Sequence, residues 1–274
     1  MGFRKPRLSP IEKELYKIEK EEHKLLHNAD KHKTAPTWKV ELENRVPEKI
    51  IAGLQKTFSK AFYLIFEKGV FIIEKTYDKD SIEKDFQIND YAVHVKGSRK
   101  EIRNIHSGAF RSNVINTVVT TIEGISLGIL GIGLPDIVLW VGILLRGIYE
   151  TALKYGFDYE TPQEKLFILK MLEASMVSGK EWTDLNAEID KYIVQNVYVV
   201  PDDNELKEQI EKTSIAFATE MIITKFIQGL PVVGILGGAT NPVYYQKIMQ
   251  YVQLKYRKRY LMGKLPGGSE ENDK

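Results

Sequence analysis

The chain contains no cysteine. That absence removes disulfides, thiolate zinc sites, cysteine-ligated iron–sulfur clusters and cysteine nucleophiles together, and it suits a reducing cytoplasm. Histidine is scarce, at five residues. His23 and His27 share a helix face with Asp30 about one turn on, a metal-like spacing, but Lys24 stands where an HExxH motif needs glutamate, and Lys20, Lys24 and Lys31 repel a cation. No metal and no cofactor is expected. Charge of one sign is lacking as well: a net charge of +2 gives no general attraction to nucleic acid. The N-terminus from Met1 to Glu14 is basic without an apolar segment behind its charges, so no secretory leader is read there. Pro6 occupies the position where a myristoylation signal wants Ser or Thr.

Catalytic signatures are also missing. Ser178-Gly179-Lys180 has no upstream glycine and is followed by Glu181 where a phosphate loop needs Ser or Thr. Gly124-Ile125-Ser126-Leu127-Gly128 has the letters of a nucleophile elbow. The triad histidine should lie downstream, yet His106 is the last in the chain. Carboxylates are plentiful on charged helix faces, and no acid/base dyad stands out among them. The sequence therefore names no reaction, and the reading leans away from an enzyme.

An unbroken apolar run of the roughly 20 residues that a membrane span needs is absent too. Two glycine-rich runs come nearest, and each contains Gly-Leu-Pro: GISLGILGIGLPDIVLWVGILL before Arg146 and FIQGLPVVGILGGATNPVYYQ before Lys247. Pro135-Asp136 divides the first into two pieces too short to span. It reads as helix, glycine turn (Gly131 to Gly133), helix, with Pro135 in the new first turn and Asp136 at the positive helix end. Gly124/Gly128 and Gly234/Gly238 allow two helix backbones to approach closely, while Gly229, Pro231, Asn241 and Pro242 punctuate the second run. Either both runs are core segments of a soluble bundle, or a hairpin dips into one leaflet, or a run truly spans. Asp136 weighs against the second and third, because a carboxylate in hydrocarbon costs about 2.5–3.5 kcal/mol.

What is present reads as helix. Ser9-Pro10-Ile11-Glu12 is a capping box opening a charged helix to about Lys33. Its thin apolar stripe (Ile11, Leu15, Ile18, Leu25) predicts an exposed arm or a helix lying across the surface. Thr34 to Thr37 reads as a linker. Pro47 opens a helix to about Tyr77, apolar on most sides and so expected to be central. Asp80-Ser81 starts a shorter one through Phe86, and Gly97-Ser98 breaks the chain before a helix from Arg99. Gly156 ends a helix, and Thr161-Pro162-Gln163-Glu164 is a second capping box opening the next, which stops near Ser178-Gly179. A helix over 181–200 follows, with a strand as the alternative for Tyr192 to Val200. Asp203 or Asn204 caps a helix through Phe226, and Pro242 opens the last, to about Met262. An all-α, multi-helix bundle with glycine-rich apolar hairpins is predicted, in three parts. Residues 1–40 form a charged N-terminal helical arm and linker, 45–264 the main helical domain, and 265–274 a disordered tail. The last helix carries Lys255, Tyr256, Arg257, Lys258, Arg259 and Tyr260. Basic residues with tyrosines suit an anionic membrane surface, and the alternative is a solvated helix end.

Gly133-Leu134-Pro135-Asp136, then Leu144-Leu145-Arg146, Tyr155-Gly156-Phe157-Asp158 and Pro162 to Leu169, resemble the core signature of the EcsC family of bacterial proteins. Pro231-Val232-Val233-Gly234 and Gly237 to Asn241, before a basic helix, resemble its C-terminal signature. The resemblance covers roughly Arg45 to Met262. It implies an operon shared with an ABC transporter, and with it a transporter as a partner, but no reaction. Gly133, Pro135, Gly156, Gly229, Pro231, Gly234 and Gly238 are the structural residues of the signature. The expectation is a non-enzymatic accessory or binding protein at the cytoplasmic membrane face, with anionic lipid rather than nucleic acid as its target. The alternative is an enzyme on a lipid or amphipathic substrate, with Asp136, Arg146 and Asn241 as its candidate catalytic residues.

Overall fold

A computed structural model describes residues 8–31, 46–106, 135–195, 200–227 and 242–265 of the chain. The elements are α1 (Pro10–Lys31), α2 (Glu48–Leu64), a π-turn (Ile65–Gly69), α3 (Val70–Glu74), α4 (Lys79–Lys96), α5 (Arg99–His106), α6 (Pro135–Lys154), α7 (Pro162–Met176), α8 (Gly179–Gln195), α9 (Asp203–Ile227) and α10 (Pro242–Gly263). Among the described residues there is no strand, and the fold is the expected all-α bundle.

Local signals fix most helix ends. The Ser9 hydroxyl accepts from the Glu12 amide at 3.1 Å, and Glu12 accepts in return from the Ser9 amide at 2.6 Å, so two orphan donors at the start of α1 are satisfied. Thr161 caps α7 by accepting from the Glu164 amide at 3.2 Å. Gly156 (φ +78°) and Gly97 (φ +56°) take the left-handed conformation just past α6 and α4, as glycine does at helix stops. Three boundaries differ from expectation. α4 begins at Lys79 because Asp78, not Asp80, accepts from the Ser81 amide, and nothing breaks it at Phe86. The cap of α9 is Asp202, one residue earlier than expected, accepting from the Glu205 amide at 2.8 Å. Tyr192 to Gln195 are helical as expected, so the strand alternative does not hold there; residues 196–199 lie outside the described set.

The centre of the bundle is not the helix expected there. α2 buries one face through Leu54, Phe58, Ala61 and Phe62, and Phe71 in α3 is exposed. The π-turn between α2 and α3 inserts an extra residue into the turn and rotates the apolar positions that follow. The most buried helices are α6 and α7. Ile137 to Leu145 in α6 is continuous core apart from glycine, and Leu166 to Leu169 in α7 is core throughout. The second half of the first glycine-rich run is therefore buried protein interior. Residues 107–134 and 228–241, with both GxxxG pairs, are outside the described set. Among the described residues no helix is long and apolar enough to cross a membrane.

Phe217 of α9 joins the layers, its ring 5.4 Å from Phe58 of α2 and 5.4 Å from Trp140 of α6. Such tilted aromatic contacts add stabilisation beyond the area they bury. α10 lies across α6, α7 and α8, and α1 closes over α10, α8 and α5. α6 and α10 approach so closely at Gly147 that a Cβ there would sit 2.3 Å from the Tyr245 hydroxyl.

Candidate functional site

The six basic and aromatic residues of α10 face into the protein. They divide into two groups by what holds them. Three are tied to the body. Tyr256 donates to Glu164 at 2.6 Å, and Arg259 binds the other oxygen of that carboxylate at 2.7 Å. The Arg259 guanidinium also lies 4.0 Å from the Phe157 ring centre, and Tyr260 donates to Asp90 at 2.7 Å. The other three are held by α1. The side chain of Lys255 is 0% exposed and its Nζ lies 2.6 Å from Glu22 and 2.5 Å from Asp190 of α8. Lys258 shares both carboxylates at 2.8 and 2.9 Å, and Arg257 binds Glu14 at 2.6 Å. The expected anion-binding surface is thus covered and internally neutralised. Lone buried cations would be prohibitively costly, so the acids of α1, α7 and α8 are what permit α10 to pack this way.

Glu14 is the focus of the seam between α1 and the body. Its fully buried carboxylate lies within 4 Å of four cations: Lys17 at 3.0 Å, Arg99 at 2.8 Å, Arg103 at 3.7 Å and Arg257 at 2.6 Å. Burial pushes its acidity down, but hydrogen bonds from Lys17 and Arg99 and the charges of Lys17 and Arg257 outweigh it and hold the carboxyl at about 2. For Lys258 burial favours the neutral amine, yet Glu22 and Asp190 outweigh it and raise the ammonium above its ordinary range. His106 sits at the same seam, with Nδ1 2.9 Å from the Tyr155 hydroxyl. Burial and the charge of Arg257 push this imidazole down to about 4, against the opposing pull of Glu14.

Sequence reasoning missed Glu14, Glu22, Asp190 and Glu164. A signal for the first two was present. Glu14, Ile18 and Glu22 recur every four residues, so both glutamates fall inside the apolar stripe of α1. A carboxylate in the buried stripe of a helix implies a buried cation on whatever covers it.

Of the proposed catalytic residues, Arg146 is 4% exposed and committed to structure. It donates to the Thr76 carbonyl at 2.8 Å, pairs with Glu150 one turn on at 3.0 Å, and its guanidinium lies 5.9 Å from the Tyr77 ring centre. Around it is a tyrosine-rich network: Tyr77 donates to Tyr159 at 2.8 Å, Tyr159 donates to Glu74 at 2.5 Å, and Tyr149 stacks on Tyr159 with ring centres 4.2 Å apart. Asp136 is the second residue of α6, but its side chain lies outside the described set, as do Asn241, Gly133, Gly229, Pro231, Gly234 and Gly238. Pro135 opens α6 as expected. Among the described residues no cluster of metal-ligating side chains occurs, and His23 is exposed on α1.

A model of the EcsC protein family matches residues 12–261. The match begins within the first turn of α1, earlier than the signature blocks suggested, so the helix that covers α10 lies within it. An uncharacterised protein of Bacillus subtilis (strain 168), YdbA, is 23% identical over 155 residues, covering 54% of this chain and 55% of that protein. The alignment therefore spans about half the length of that relative. No solved structure matches.

Proposed function

The chain belongs to the EcsC protein family, and from that premise we propose that it is a non-enzymatic binding protein of the cytoplasmic membrane face whose anion-binding surface is held in reserve by its own first helix. One observation carries the reading: Lys255, Arg257 and Lys258 are held by Glu14 and Glu22 of α1, which connects to the body through residues 32–45. If α1 lifts, these three cations, with Arg99 and Arg103 of α5, retain Asp190 as the one carboxylate of the seam that stays among the described residues. A basic residue near an anionic leaflet contributes about 1 kcal/mol. Five such residues together rival what a single helix, docked through one narrow apolar stripe and a set of ion pairs, gains by staying down. Anionic lipid then competes with α1 for the same charges, and binding shifts a two-state equilibrium rather than meeting a permanently open patch.

The test is flotation of full-length protein with anionic and neutral vesicles at low and high salt, comparing the parent with the double variant Glu14→Gln, Glu22→Gln. The variant should bind anionic vesicles at least tenfold more tightly than the parent, and high salt should abolish the difference. A folded variant whose α1 is shown by proteolysis to be released, yet which ignores anionic vesicles, would sink the proposal.

A further inference from the structure

A cavity of about 360 Å³ lies along the seam of α1 and α10, within the size range of small-ligand sites. Its walls have a definite chemistry. Lys24 and Arg257 supply positive charge, Gln250 and Gln253 supply amide groups, and Leu25 and Leu254 supply apolar surface. Arg257 reaches the wall from the seam, where Glu14 holds its guanidinium at 2.6 Å. Of the charged residues that line the cavity, Lys24 and Arg257 are cations and Glu21 is the acid. Glu21 stands 3.7 Å from Arg257 with its side chain half in solvent, so it neutralises weakly.

From the two cations, the amide groups and the leucine wall that line it, we propose that this cavity binds a small amphipathic anion, an acidic head group on a short apolar body, and that its occupancy clamps α1 onto α10. The clamp follows from construction: Lys24 and Leu25 belong to α1, and Arg257 and Leu254 to α10. A ligand touching both is bound only by the closed state and stabilises it. This second clause rests on the reading of α1 as a displaceable cover; binding in the cavity does not.

The experiment is thermal unfolding of the full-length protein at constant ionic strength with sodium hexanoate, inorganic phosphate or hexanol as probes, in the parent and in Lys24→Gln and Arg257→Gln. Hexanoate at tenfold its dissociation constant should raise the midpoint by about 3 °C, phosphate and hexanol should raise it less, and both variants should lose most of the hexanoate shift. Lys24 is exposed on α1, so Lys24→Gln keeps the test valid should Arg257→Gln fail to fold. No shift with hexanoate, or an unchanged shift in Lys24→Gln, overturns the site. An equal response to hexanol overturns its anionic character, and an equal response to phosphate its apolar part. Hydrogen exchange over residues 10–25 should slow when hexanoate is bound; a midpoint shift without that slowing overturns the clamp and leaves the site standing. Vesicle binding is read separately, so failure of the membrane proposal does not alter these outcomes.

Discussion

At Gly156 the backbone holds φ +78°, and a Cβ there would lie 2.3 Å from the Phe86 ring. Strain and overpacking act together, so Gly156→Ala should cost at least about 2 kcal/mol in urea unfolding. Gly53 is the control: it lies inside α2 with nothing within 4 Å of a built Cβ, so Gly53→Ala should stabilise by roughly 0.5–1 kcal/mol. Unequal signs for the same substitution would confirm that position, not composition, decides. Arg146 poses the sharper question, because it is both a signature residue and an ion-pair partner. Arg146→Met takes the paired guanidinium from the buried Glu150 carboxyl and leaves Lys154 as the cation acting on it, a loss of up to about 3–5 kcal/mol, and adding Glu150→Met should recover most of it. Burial already raises the Glu150 pKa, with Arg146 and Lys154 opposing. Recovery in the double variant marks a structural pair; a stable Arg146→Met protein that loses a ligand or substrate would instead revive the catalytic candidate.

Between elements, the seam of α1 should be the acid-sensitive part of the molecule. Glu14 is depressed from 4.5 to about 2, so its contribution is complete above about 4.5 and is lost as pH falls toward 2. His106 is depressed from 6.5 to about 4; the unfolded imidazole binds a proton first, so stability falls as pH drops from 6.5 to 4 and this contribution is flat below. Both losses have the same direction and act in adjoining windows, under the charges of Arg257, Lys17 and Glu14. Unfolding midpoints measured between pH 7 and 2.5 should therefore decline continuously, and His106→Gln should flatten the stretch from 6.5 to 4 while leaving the lower one. The same seam marks where the sequence was readable. The Ser9 and Thr161 caps and the glycine stop at Gly156 were visible because each is written within a few residues. Asp202 was missed in favour of its neighbours because three consecutive polar residues can each cap. The fate of Lys255 was invisible for a different reason: its partner Glu22 is 233 residues away. A cluster of cations in a linear string looks the same whether solvent or a distant helix covers it.

For the molecule as a whole, burial predicts a hierarchy of opening. α6 and α7 are enclosed on nearly all sides, whereas α1, among its described side chains, buries Ile18 and two glutamates and leaves Tyr16 half exposed. Buried ion pairs hold α1 in register but add little net stability, since desolvation offsets most of their attraction; apolar contact is what makes a segment hard to open. Amide exchange should accordingly show α1 opening at a free energy well below that of α6 and α7, and Glu22→Gln should lower protection in α1 while leaving α7 unchanged. Glu164→Gln makes the contrast, because that carboxylate anchors Tyr256 and Arg259 to α7, and its loss should lower global stability instead. If α1 exchanges only with the global unfolding of the bundle, it is an integral layer and no cover; if it opens alone, the cations of α10 become available while the rest of the fold stays intact, which is the property a reserved binding face requires.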